Sequence, residues 1–250
     1  MHPIRKFLSY LLTPVFWLYF GLLLVIFHPI QVICKSFGRT DKTRKKAVDI
    51  LNAMLLYGLT ILGAKIKFKG FDQLPSDKPF IIVSNHQNHF DISPIVWGFR
   101  KFTPKFVSKQ ELGKGIPSIS YNLRHGGSAL IDRKNSRQAI TEILKLGRRI
   151  EIESTCASIF PEGTRSKTGE VRRFKEGGLD ALLKMAPSAV IVPLVIDGNH
   201  KLMPNKGFPL TFGTKLNYTA LSPIDPKGRE VKELVVELEE LIKYQLNQAS

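Results

Sequence analysis

The sequence predicts an α/β fold: a single open sheet, mixed or mostly parallel, flanked by helices and preceded by an N-terminal membrane-embedded helical hairpin. Three observations carry this reading. From residue 65 onward, short continuous apolar runs alternate with amphipathic helical stretches, as expected of strands buried on both faces. The 28 residues 7–34 contain no Lys, Arg, Asp or Glu. The 250 residues suffice for one sizeable domain with a small appendage, with no internal repeat and no low-complexity linker. The expected division is a membrane-embedded segment at 1–38 and an α/β domain at 39–250.

The N-terminal segment comes first. Arg5 and Lys6 could open a signal peptide, but the apolar stretch is too long for one and no small-x-small cleavage site precedes Lys35. Residues 7–27 would measure about 31 Å as a helix, enough for one crossing of a core of roughly 30 Å. Thr13-Pro14, however, resembles an N-cap followed by a first-turn proline, and His28-Pro29 resembles a stop. A helix confined to 14–27 would be only about 21 Å long. Arg5 and Lys6 lie before the stretch and Lys35, Arg39, Lys42, Arg44, Lys45 and Lys46 after it, so both ends favour the cytoplasmic side. A kinked hairpin dipping into one leaflet satisfies both ends and is preferred here to a spanning helix.

Residues 41–62 have helical spacing, with Asp41 near the cap and Ala47, Leu51, Met54, Leu55, Leu59 and Leu62 apolar. The four cations of its first turns have the wrong sign for a helix N-terminus. They mark either a solvated basic face or a lipid-headgroup contact. Strands are expected at 65–69, 80–83, 106–108, 128–131, 157–160 and 189–196. Helices are expected at 92–99, 136–152, 177–185 and 230–246. Pro94 is tolerated only in a first turn, which places the start of its helix near Ile92.

The formal charge of +16, from 37 Lys and Arg against 21 Asp and Glu, implies an anionic partner. An anionic membrane face, an acidic carrier protein, a phosphorylated substrate or nucleic acid would each fit. Cys34 and Cys156 are the only cysteines, far apart, which argues against a disulfide scaffold or a cysteine metal site.

Four blocks carry chemistry. The first is Asn85-His86-Gln87-Asn88-His89-Phe90-Asp91, between a strand and a helix. A histidine suits removal of a hydroxyl proton near neutral pH, and a carboxylate on its other nitrogen would fix the tautomer. On a straight helix His86 and Asp91 would diverge by about 140°, so they meet only if the chain turns between them. From these residues alone, a loop histidine beside a helix-capping aspartate is the better reading. The second block, Phe160-Pro161-Glu162-Gly163-Thr164-Arg165-Ser166, sets a guanidinium beside a glycine turn, a natural place for a phosphate oxyanion. Lys167, Arg172, Arg173 and Lys175 follow it. Glu162 would repel a phosphate, so it is expected to accept a hydroxyl or hold an arginine. The third block ends in Leu130-Ile131-Asp132-Arg133, and the fourth is Ser108-Lys109-Gln110-Glu111-Leu112.

Together, and in this order, the blocks resemble the 1-acylglycerol-3-phosphate O-acyltransferase family over residues 70–197. The H-x-x-x-x-D element falls on His86 and Asp91. The E-G-T-R-S block is intact at 162–166, and Val190-Ile191-Val192-Pro193-Leu194 completes the set. Departures are Ser108 for Ala, Leu130 for Phe, and Asn88-His89, which makes His89 a rival base. The resemblance implies direct transfer of a fatty acyl group from acyl-ACP or acyl-CoA, as co-substrate, to the sn-2 hydroxyl of lysophosphatidate. His86 would be the base and Asp91 its partner. Arg165 would hold the acceptor phosphate, with Lys109, Arg133, Glu162, Gly163 and Thr164 completing the substrate site. No metal or other cofactor and no nucleic acid partner is implied. The expected location is the cytoplasmic face of a cell membrane. No G-x-S-x-G is present, and Cys156, inside an apolar strand, reads as an inert thiol. Glycerol-3-phosphate or another lyso-lipid is an alternative acceptor. A basic membrane or nucleic-acid binding protein is the non-enzymatic alternative, which leaves the four ordered blocks unexplained.

Overall fold

The structure, a computed structural model, describes residues 2–36, 41–166, 168–204 and 207–249. Arg39, Lys167, the expected boundary at 38/39 and the side chain of Asp41 lie outside the described residues.

The strands are β1 (Lys65–Lys69), β2 (Phe80–Ser84), β3 (Lys105–Lys109), β4 (Ala129–Ile131), β5 (Cys156–Ile159), β6 (Val190–Asp197) and β7 (Lys215–Ala220). They form one sheet in the order β1-β7-β6-β2-β5-β3-β4. The run from β6 to β4 is parallel; β7 is antiparallel to β6 and parallel to β1. The mixed, mostly parallel sheet is therefore present. Its central strands are buried on both faces, which is why β2 and β6 read as uninterrupted apolar runs.

Successive side chains of β2 feed two cores. Phe80 and Ile82 join Leu56, Leu59, Ile95 and Phe99 beneath the N-terminal helices. Ile81 and Val83 join Ile143, Leu146, Leu179, Leu182, Leu234 and Leu238 on the other face. The helices are α1 (Pro3–Ser36), α2 (Asp41–Tyr57), α3 (Ile92–Gly98), α4 (Ile119–His125), α5 (Ser136–Glu153), α6 (Gly177–Met185), α7 (Asn199–Leu202) and α8 (Val231–Ala249). A 3-10 turn, Gly58–Leu62, extends α2.

The N-terminal segment departs from expectation. Residues 7–34 form no hairpin of their own but one continuous helix of 34 residues running through Pro14 and Pro29. Tertiary bonds brace it beside Pro14: Leu210 N–H donates to Thr13 Oγ1 at 2.9 Å and Phe212 N–H to Ser9 Oγ at 2.9 Å. These bonds tie the turn before Pro14 to the 210–212 backbone. The antiparallel partner of α1 is α2: Leu23, Leu24 and Phe27 pack with Leu51 and Leu55, and Tyr19 O–H donates to the Met54 carbonyl.

One face of α1 is buried at Ser9, Thr13, Phe16, Leu23, Leu24, Phe27 and Gln31. The opposite face exposes Phe7, Leu11, Val15, Leu18, Leu22 and Val25. The basic first turns of α2 are not wholly solvated either, since Arg44 is buried and donates to Asn122 Oδ1 of α4.

Candidate active site

Five adjacent parallel strands point their carboxyl ends the same way, and the loops leaving those ends carry the sequence blocks. Ligands of open α/β sheets bind at such a rim. Asn85, next after β2, mimics a further strand residue: its Nδ2 donates to the Ile196 carbonyl and its Oδ1 accepts from Ile196 N–H. Beyond it the chain turns sharply.

That turn is built around Asp91, which is fully buried. Its Oδ2 accepts from Gln87 N–H at 2.6 Å and Asn88 N–H at 3.0 Å, and lies 2.7 Å from His86 Nδ1. Asn88 in turn caps the 3-10 turn His89–Asp91 by accepting from Phe90 N–H. The five-residue spacing thus closes through a capping box, and Asp91 makes no cap bond to α3. When Nδ1 donates to Asp91, Nε2 is the ring's acceptor nitrogen, and among the described residues it carries no hydrogen bond. The side chain is 13% exposed, enough for a substrate atom to reach it.

The Glu162–Ser166 loop grips the same histidine. Glu162 Oε1 accepts from His86 N–H at 2.7 Å, and Ser166 N–H donates to the His86 carbonyl at 2.7 Å. Phe160 stacks on the imidazole, with centroids 4.0 Å apart and planes 16° from parallel. Glu162 is itself buried, and its Oε2 accepts from Arg172 N–H at 3.2 Å. It therefore holds the backbone N–H groups of His86 and Arg172, and the expected hold on an arginine is made through that residue's main chain. Burial outweighs these two bonds and raises its carboxyl to about 7. Gly163 sits at φ +69°, a conformation L side chains resist, and makes the tight turn before Thr164 and Arg165.

Arg165 is exposed, and among the described residues it has no hydrogen bond or ion pair. Its charge reaches both His89 and Arg133. Burial first, and then repulsion from Arg165, lowers the Arg133 pKa, while Glu111 acts the other way. The repulsion between the two guanidiniums is one that a bound anion would relieve. Asp132 shapes the Arg133 turn by accepting from Lys134 N–H at 2.9 Å.

Lys109 is exposed at the end of β3, two strands from β2 and so about 10 Å along the rim. Thr164 is exposed beside Arg165, with no bond to His86. Gly163, Thr164 and Arg165 thus share the histidine's loop, whereas Lys109 and Arg133 stand farther along the edge.

His89 faces elsewhere. Its ring lies 6.0 Å from Trp17 of α1 and 4.4 Å from Phe90. Partial desolvation there, followed by the Arg165 charge, lowers its pKa, although the residue keeps substantial exposure to solvent. No carboxylate hydrogen-bonds its ring among the described residues. Phe90 packs against Phe16, Trp17 and Phe20, so the His86–Asp91 turn rests directly on α1. Cys156 is buried in β5, and burial raises its thiol strongly.

Two contributors were not singled out from the sequence. Phe160 lay within a quoted block, where nothing but its aromaticity hinted at the stacking. Asn199, on α7, donates from Nδ2 to Asp91 Oδ1 at 2.6 Å. The one sequence signal was a Gly-Asn pair after an apolar strand, the mark of a turn.

The family model described as Acyltransferase matches residues 65–197, the stretch that carries all these groups. The chain is similar to 1-acyl-sn-glycerol-3-phosphate acyltransferase alpha of Mus musculus, 24% identical over 196 residues, covering 78% of this chain and 66% of that one. It is 31% identical over 185 residues to the chloroplastic 1-acyl-sn-glycerol-3-phosphate acyltransferase LPAT1 of Arabidopsis thaliana, covering 73% of this chain and 48% of the relative. The chain thus spans just under two thirds of the mouse relative and about half of the plant one. A crystal structure of the 1-acyl-sn-glycerophosphate (LPA) acyltransferase PlsC from Thermotoga maritima superposes with a TM-score of 0.80 at 27% identity. That match covers 98% of this chain and 97% of the other.

Proposed function

Since the chain belongs to the Acyltransferase family, whose model spans more than half of it, we propose that it acylates the sn-2 hydroxyl of 1-acylglycerol-3-phosphate to give phosphatidate. The relatives named above act on that acceptor by their printed names. The observation that carries the reading in this chain is the His86–Asp91 pair, pinned by the Glu162–Ser166 loop with Nε2 left open.

The acyl donor is a thioester, acyl-ACP or acyl-CoA. His86 Nε2 takes the acceptor's hydroxyl proton as that oxygen attacks the thioester carbonyl. Asp91 holds the tautomer and stabilises the imidazolium. When the tetrahedral adduct collapses, the C–S bond breaks and the imidazolium returns the proton to the departing thiolate. Arg165 holds the acceptor's phosphate, and Arg133 and Lys109 extend the cationic rim. Electrostatic grip of this kind favours Arg, whose planar fork matches a phosphate.

The protein works at a membrane surface. Helix α1 is long and apolar enough to cross a bilayer by length and composition. Its inner face, though, is packed on the domain from Ser9 to Gln31. A helix attached along its side cannot cross unless the domain enters with it. The exposed stripe from Phe7 to Val25 therefore lies in one leaflet, with Arg5, Lys6 and Lys35 at the headgroups. This is a monotopic attachment on the cytoplasmic face. It holds the turn at Phe90 against the inner side of the helix that rests on the lipid.

Incubating the purified chain on liposomes with lysophosphatidate and each acyl thioester tests the reading. Phosphatidate formation with at least one donor is expected. No transfer with either donor, at full occupancy of the liposomes, would refute it.

A further inference from the structure

We infer that Asn199 is a positioning residue of the acyl-transfer reaction, held by Tyr218 as an obligate donor to Asp91; this rests on the reading of His86 as the base. Three of the four donors to the Asp91 carboxylate crowd Oδ2: His86 Nδ1, Gln87 N–H and Asn88 N–H. Among the described residues Oδ1 has a single partner, Asn199 Nδ2, at 2.6 Å. That bond fixes the rotation of the carboxylate about its Cβ–Cγ axis, and with it the direction from which Oδ2 meets the imidazole.

An amide can turn either end toward a carboxylate, so its orientation needs a cause. Tyr218, buried in β7, supplies one: its hydroxyl donates to Asn199 Oδ1 at 3.0 Å. Burial, with the nearby Asp91 charge, raises the phenol's pKa far above neutrality, so it retains its proton. A phenol held between an amide and apolar neighbours donates to the amide's oxygen, and the NH2 is left facing Asp91. The flipped amide would set Oδ1 against the carboxylate, two acceptors in contact.

The rest of α7 is built to keep Asn199 there. The Asn199 carbonyl accepts from Asn88 Nδ2, and His200 N–H donates to Gln87 Oε1. Asn199 is completely buried. Gly198, before it, takes φ +92°, and a Cβ at that position would lie 2.0 Å from the Lys215 carbonyl oxygen. A chain of bonds therefore runs from β7 through α7 to the base: Tyr218, Asn199, Asp91, His86.

The test measures steady-state kinetics and melting temperature for Asn199→Ala, Asn199→Asp and Tyr218→Phe in the full chain on liposomes. The bond from Asn88 uses backbone, so it survives in both Asn199 variants. Expected for Asn199→Ala is a kcat lower by about 10- to 100-fold, the scale set by outer-shell partners that orient a histidine. The KM of acceptor and donor should stay within about two-fold. Asn199→Asp, isosteric but no donor to Asp91 when ionised, should lose as much, and Tyr218→Phe should fall between. Adding Asn199→Ala to Asp91→Asn should cost little more, because the residue acts through the carboxylate. Wild-type kcat in Asn199→Ala would overturn the inference, as would full additivity with Asp91→Asn. If Asn199→Ala fails to fold, Asn199→Asp and Tyr218→Phe carry the same decision. Absence of transfer in the wild type would instead remove the reading of the enzyme itself.

Discussion

Replacing Glu162 by glutamine removes one acceptor from a buried carboxylate that holds two backbone N–H groups of the site, one at His86 and one at Arg172. The side chain keeps its shape, so cavity formation is not at issue. Glutamine retains one acceptor oxygen and turns an NH2 toward the other N–H group. A buried donor left unpaired costs about 1 to 3 kcal/mol. At about 2 to 4 °C per kcal/mol for a chain of this size, the melting temperature should fall by about 2 to 12 °C. Catalysis should suffer as well, because the imidazole is placed through its own backbone. A misplacement of about 1 Å can cost about 100-fold in rate. A fall in kcat without a change in either KM is expected.

The change also has a pH dependence. Burial raises the Glu162 carboxyl from 4.5 to about 7. Between those values the folded chain binds a proton that the unfolded chain does not. The group's contribution to stability therefore rises as pH falls through that window. Glutamine has no such proton, so the stability gap between wild type and Glu162→Gln should widen on acidification from about pH 7 to about 4.5. Denaturant melts at several pH values, with kinetics at one, measure all of this. Unchanged melting together with unchanged kcat would show that the carboxylate does not hold the turn.

Four further outcomes are expected. Asp91→Asn should lower kcat while leaving both KM values near wild type; an effect on melting temperature alone would reduce Asp91 to a structural cap. Arg165→Ala should raise the acceptor KM by about 10- to 150-fold, the worth of one charge-assisted bond, with Lys recovering part of it. An unchanged acceptor KM would remove Arg165 from the site. Leu18→Glu with Leu22→Glu, on the exposed face of α1, should weaken liposome binding in a flotation assay at unchanged melting temperature. Gly163→Ala should destabilise by about 1 to 2 kcal/mol for its left-handed backbone, since the nearest atom to its added methyl is Lys175 Nζ at 3.7 Å.

Much of the domain is legible in the sequence because its strands are buried on both faces. β2 and β6 are continuous apolar runs, and β1, α6 and α5 fall within a residue of the bounds that periodicity suggests. β7 escaped that reading: Lys215, Asn217 and Thr219 dilute its buried positions, and its placement depends on pairing with β6 and β1. Helix α4 escaped because it is seven residues long and is held by α1 and α2, through Ser118 to the Leu24 carbonyl and Arg44 to Asn122.

The N-terminal segment shows the same limit more sharply. Read linearly, residues 1–39 look like a detachable anchor whose deletion leaves a soluble, folded domain. In the structure Phe16 is fully buried in the main core and packs on Phe90, while Ser9 and Thr13 hold the 210–212 backbone. Loss of Phe16 alone forfeits about 1.5 to 3 kcal/mol of burial, so that deletion is expected to unfold or aggregate the chain. At the site, the motif residues were readable as chemistry. The contacts that make them one unit, Glu162 and Ser166 on the His86 backbone and Asn199 on Asp91, join residues 76 to 108 positions apart, and no local pattern announces them.

The central claim is that His86 is the base that activates the acceptor hydroxyl. It is tested most directly by initial rates of phosphatidate formation from lysophosphatidate and an acyl thioester on liposomes, for wild type, His86→Ala and His89→Ala. Loss of a positioned general base costs about 10² to 10⁴ in rate. A fall of that size for His86→Ala is predicted, with liposome binding preserved and His89→Ala retaining most activity. A His86→Ala rate within a few-fold of wild type, or an inactive His89→Ala beside an active His86→Ala, would contradict the account.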